Sequence, residues 1–147
     1  MLNQTPTILI VEDDEGHAIL IRENLEAAGL SNRIERFCDG QAILDFFFKA
    51  NPRRGSNGES FLILLDIRMP KVDGIEVLRR LKADPQLHKL PVIMLTTTDD
   101  TREVERCHEF GCNGYIQKPV DYEKFTEAIR RIGLFLPLLL VPQLSAR

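Results

Sequence analysis

A chain of 147 residues fits one domain and leaves no room for two ordinary ones. With 44% hydrophobic and 28% charged residues it is built to bury a core, which excludes a disordered polyelectrolyte. The formal net charge of -3 supplies no basic footprint for a nucleic-acid backbone, so its partners are expected to be proteins.

Residues 7–11 are a β-branched apolar run that ends in acids, which predicts a strand buried on both faces. Over residues 15–28, Ala18, Ile19, Leu20, Leu25 and Ala28 recur near helical spacing, and Gly29 suits the left-handed position beyond a helix end. Residues 33–37 alternate as a weaker, edge-like strand. Asp39-Gly40 then gives a turn and a cap for a helix over 42–49. Polar residues 51–60, with Pro52, Gly55 and Gly58, predict a long loop. Residues 61–65 form a second wholly apolar strand ending at Asp66, and a helix over 74–83 turns Ile75, Val77, Leu78 and Leu81 inward. A fourth strand over 90–95 ends at Thr96, and an acid-capped polar helix over 99–110 closes at Gly111. A short strand over 115–117 leads to Lys118-Pro119. Asp121 then caps a helix to about Gly133, with Phe125, Ala128, Ile129 and Ile132 on one face.

Five strand–helix units predict an open, parallel, doubly wound α/β sheet with helices on both faces, because crossovers are right-handed. Cys38, Cys107 and Cys112 lack C-x-x-C spacing, which argues against a disulfide framework and a zinc site. His17, His88 and His108 also lack ligand spacing and are expected on the surface. Residues 1–7 carry no charged segment followed by an apolar run, so a cytoplasmic protein is expected.

In such a sheet the ligand site lies beyond the carboxyl ends of the strands. Those ends hold Glu12, Asp13 and Asp14, then Asp66, then Thr96 and Thr97, then Lys118. No glycine-rich turn follows the first strand, which excludes a nucleotide-binding version of the fold. Converging carboxylates repel and raise at least one pKa, so a divalent cation on oxygen ligands, with magnesium the default, is the economical arrangement. Solvated helix-capping acids are the plain alternative, but these acids end two separate core strands and a lysine ends a third. A metal-bound carboxylate beside an ammonium is suited to accept a phosphoryl group, which makes Asp66 the candidate nucleophile and Thr96 the candidate sensor.

The segments 8–14 (ILIVEDD), 64–70 (LLDIRMP) with Asp73-Gly74, 95–97 (LTT) and 114–119 (GYIQKP) resemble, in order, the motifs of CheY-like receiver domains of response regulators, over residues 6–133. The resemblance implies a flavodoxin-like five-stranded sheet of order 2-1-3-4-5 with five helices. It implies Asp66 as phosphoacceptor and Asp13 as a direct Mg2+ ligand. Glu12 would bind the ion through water, and the Arg68 carbonyl would complete the set. Lys118 would contact the phosphoryl group, with Thr96 and Tyr115 as the switch pair. The donor would be a sensor histidine kinase. Arg68, two positions after Asp66, is a departure whose cation could reach the phosphoryl group, and Thr97 is bulkier than the residue usual after the switch threonine.

Beyond the last helix the tail 134–147, with FLPLLLVPQL at its core, is apolar but broken by Pro137 and Pro142 and too short to span a bilayer. It is expected to pack in a homodimer, with packing back on its own domain as the alternative, and it is too short for a DNA-binding unit, so output is expected to pass to an unknown downstream protein. The long loop and this tail resemble the stand-alone regulators that serve cyanobacterial phytochromes. Two rival functions share this fold class or this sequence. A phosphatase of the haloacid dehalogenase type would want an acid where Arg68 stands. A receiver-like scaffold that binds partners without phosphorylation would not need the intact acidic set.

Overall fold

The computed structural model describes residues 6–49, 60–97, 99–118 and 122–135. Five strands, β1 (Thr7–Val11), β2 (Ile34–Phe37), β3 (Phe61–Leu65), β4 (Val92–Thr96) and β5 (Gly114–Gln117), alternate with five helices. The helices are α1 (Glu15–Ala27), α2 (Gly40–Phe48), α3 (Gly74–Ala83), α4 (Thr101–Glu109) and α5 (Tyr122–Phe135). All strand pairs are parallel and the order is β2-β1-β3-β4-β5, the doubly wound flavodoxin-like sheet that the sequence implies.

Strand periodicity divides the core into two layers. Ile8 and Ile10 of β1, Leu62 and Leu64 of β3 and Leu95 of β4 pack with Ile21 and Leu25 of α1 and Phe125, Ile129 and Ile132 of α5. Their neighbours Leu9, Val11, Ile63, Leu65 and Met94 face the other way, against α2, α3 and α4. Because β1 and β3 are covered on both faces, every position of β3 is buried. The edge strand β2 is only partly buried throughout and carries Glu35 and Arg36.

Four helices begin on an aspartate whose side chain accepts a backbone N–H of the first turn: Asp14, Asp39, Asp73 and Asp100. Several boundaries shift by one or two residues from expectation, with β2 beginning at Ile34, α2 at Gly40 and β5 at Gly114. The fourth strand begins at Val92 instead of residue 90, because a 3-10 helix at Leu87–Lys89 intervenes. Asp84 Oδ1 accepts from the Gln86 and Leu87 amides and so nucleates that turn. The polar helix α4 starts at Thr101, behind its cap Asp100. The expected loop 51–60, except Ser60, the expected cap Asp121 and the tail beyond residue 135 lie outside the described residues.

Candidate functional site

Sheet register brings the strand ends together. Val11 pairs with Leu65 and Leu65 with Met94, so Glu12 and Asp66 emerge side by side. The ladder runs one step past the strands: the Glu12 amide donates to the Phe37 carbonyl, the Asp66 amide to Val11 at 3.1 Å, and the Lys118 amide to Thr96. Glu12, Asp66, Thr96 and Lys118 are all buried, and they are four of the five buried polar residues described.

Each of Glu12, Asp13 and Asp66 offers a carboxylate oxygen, and these atoms lie within 4.8 Å of one another. Lys118 Nζ donates to Glu12 Oε1 and stands 3.4 Å from Asp66 Oδ2. Asp66 Oδ1 is buried and has no hydrogen-bond partner among the described residues. An orphaned carboxylate oxygen beside two further carboxylates is a site short of positive charge, which a hard divalent cation fits. Burial pushes the Glu12 carboxyl up to about 7. The attraction of Lys118 opposes that rise, and repulsion from Asp66 adds to it.

Backbone contacts hold the acids in place. Asp14 caps α1 through the His17 amide at 2.9 Å and gives its own amide to Glu12 Oε2. Arg36 reaches across from the edge strand and donates to the carbonyls of Glu12, at 3.0 and 3.1 Å, and Asp13, at 3.2 Å. Sequence reasoning missed Arg36; its only signal was a cation inside a short strand. Gly74 lets α3 start against the exit of β3, since a Cβ there would stand 2.0 Å from the Asp66 carbonyl oxygen.

Thr96 is fully buried at the tip of β4. Tyr115 lies on β5 opposite Met94, packed on the layer that faces α3 and α4. By alternation Thr96 is on that same face of the sheet. Burial pushes the Tyr115 phenol up to about 12, with Cys107 and Glu103 adding to the effect. Thr97, the next residue after Thr96, is exposed.

Arg68 lines a groove of about 360 Å³ beside Asp13, with Met69, Asp73 and Glu103. Its guanidinium is turned to α4, where it donates to Glu103 Oε1 at 2.7 Å. Of the three histidines, His88 and His108 are exposed as expected, but His17 is not simply a surface residue. Its ring borders the site, with Nδ1 3.3 Å from Lys118 Nζ and 4.0 Å from Glu12 Oε1. The reason is helical geometry: the acidic loop is only three residues long, Glu12 to Asp14, before α1 begins, so the first turn overhangs the strand ends.

The profile of the response regulator receiver domain matches residues 8–130. A receiver domain from Rhodospirillum rubrum superposes with a TM-score of 0.88 at 45% identity, covering 95% of this chain and 99% of that one. The Mn2+-bound response regulator Rcp1 superposes at 0.84 with 29% identity, over 94% of this chain and 99% of its own. The phosphorylated cyanobacterial phytochrome response regulator RcpA also reaches 0.84, with 27% identity over 95% and 99%. By profile, fold and the acids at its strand ends, the chain belongs to the response regulator receiver domain family.

Proposed function

We propose that the chain receives a phosphoryl group on Asp66 from a sensor histidine kinase and passes the signal on by protein contact. The observation that carries this reading is the Asp66 carboxylate itself: buried at a strand tip, one oxygen on Lys118 and the other without a partner among the described residues. In the transfer an Asp66 oxygen attacks phosphorus and the P–N bond of the kinase phosphohistidine breaks. The bond pair returns to the imidazole, which takes up a proton, and an acyl phosphate remains on Asp66. Lys118 offers its ammonium to the oxygens of the moving group. A Mg2+ ion held by Asp13, Asp66 and the Arg68 carbonyl, with Glu12 through water, would neutralise further charge on those oxygens.

In this reading Thr96 grips the phosphoryl group and Tyr115 follows it inward, which makes them the switch pair. The chain catalyses only its own phosphorylation and dephosphorylation. The likeness to Rcp1 and RcpA supports a phytochrome-type kinase as the donor, and no described helix is long and apolar enough to cross a membrane, in keeping with a cytoplasmic site. The receiver unit spans 6–133. The segment 134–147 then serves a homodimer, a reading supported by Leu134, which is 63% exposed near the end of α5.

The test is intact mass after incubation with phosphoramidate and Mg2+. One added phosphoryl group that disappears in Asp66→Asn and with EDTA is the expected result. A wild-type chain that gains nothing, from this donor or from phosphorylated kinase, would sink the reading in favour of a scaffold. Sedimentation of the two forms tests the dimer.

A further inference from the structure

An ammonium has three N–H donors and no lone pair, so every close polar neighbour of Lys118 Nζ must accept. Among the described residues those neighbours are Glu12 Oε1, Asp66 Oδ2 at 3.4 Å and His17 Nδ1 at 3.3 Å. Three acceptors thus meet three donors in a side chain that is 2% exposed. The His17 ring is held from the other side, tilted against Phe125 of α5 with centroids 5.8 Å apart. Its amide is tied to the α1 cap Asp14.

We propose that His17 is a positioning residue for Lys118. Its Nδ1 accepts the third N–H, with the ring proton on Nε2, and so keeps the ammonium directed at Asp66. The two carboxylates are buried, whereas the imidazole nitrogen is an acceptor at the rim on a side chain 40% exposed. The N–H on His17 is therefore the one most readily released when phosphoryl oxygens arrive on Asp66. Lys118 then meets the incoming group already aligned, exchanging one acceptor for another. This inference rests on Asp66 being the phosphoacceptor.

Two variants separate an acceptor from a packing ring. His17→Phe keeps the ring against Phe125 and has no acceptor; His17→Asn loses the ring but puts its Oδ1 where Nδ1 stands. With phosphoramidate and Mg2+, the rate constant at saturating donor is expected to fall about tenfold in His17→Phe, the factor of one charge-assisted hydrogen bond, and to recover at least partly in His17→Asn. The half-saturating donor concentration is expected to move less than about twofold, since the effect lies on the transfer step. A His17→Phe chain phosphorylated at the wild-type rate, or an equal loss in both variants, overturns the proposal. Nitrogen-15 spectra of the unphosphorylated wild-type ring decide independently of any transfer. A protonated Nε2 and an unprotonated Nδ1 are expected, and a proton on Nδ1 overturns the proposal even if Asp66 never takes a phosphoryl group.

Discussion

Glu12 is a carboxyl pulled in opposite directions by burial and by Lys118, and the backbone carbonyl of the same residue is held from outside by Arg36. Arg36→Ala leaves the Glu12 and Asp13 carbonyls without their guanidinium. It is expected to lower stability by about 1.5–3 kcal/mol in urea unfolding, the range for hydrogen bonds that involve a charged group, and to weaken any metal binding at the acids it steadies. An unchanged midpoint would mean that solvent replaces Arg36 without loss. The cysteines make a second test. Cys107 is fully buried, and burial pushes its thiol up to about 11, whereas Cys38 is exposed. At pH 8 iodoacetamide is therefore expected to label Cys38 in the native protein and Cys107 only after denaturation, read by peptide mass spectrometry. Native labelling of both at similar rates would contradict the burial.

At the scale of elements, α3 is set by its start and by its charged face. A Cβ on Gly74 collides with the Asp66 carbonyl, so Gly74→Ala is expected to cost about 2–3 kcal/mol as an overpacked contact and to disturb the acidic cluster with it. On the exposed face, hydrogen bonds from Arg79 and Arg80 hold the Glu76 carboxyl down at about 2, against an ordinary 4.5. A depressed carboxyl stabilises the fold above its ordinary value, and that contribution is lost as pH falls toward 2. Glu76→Gln is thus expected to be less stable than the wild type at neutral pH, with the gap closing between about pH 4.5 and 2. A gap of constant size in urea titrations would refute the assignment. The elements themselves were legible in sequence from apolar runs, helical spacing and turn residues, and four of the described helices begin on an aspartate. The 3-10 turn at Leu87–Lys89 was not, since its signal is a single Asp84 side chain inside what read as a strand approach. At the site, Glu12, Asp66, Thr96 and Lys118 could be placed from strand ends alone. Arg36 and His17 could not, because both reach the acids across space from elements whose local pattern carries no trace of it.

For the whole molecule, a cation held by the acidic cluster would couple folding to metal. A cation bound only by the assembled strand ends stabilises the native state, by about 2.7 kcal/mol at about a hundredfold excess over its Kd. Mg2+ is expected to raise the unfolding midpoint over that in EDTA, and Asp13→Asn to abolish most of the gain. An identical midpoint with and without Mg2+ at saturating concentrations would argue that no cation binds there.

The ion pair between Glu12 and Lys118 joins positions 106 residues apart. During synthesis on a ribosome, β1 and β3 leave the exit tunnel long before β5 delivers the ammonium, since the chain is made from its N-terminus. Under the phosphoacceptor reading, Asp66 therefore lacks its ammonium in every nascent or truncated chain that stops short of Lys118. In that reading incomplete copies are expected to compete poorly with finished ones, because Lys118, the residue after the last strand, supplies the cation that Glu12 faces.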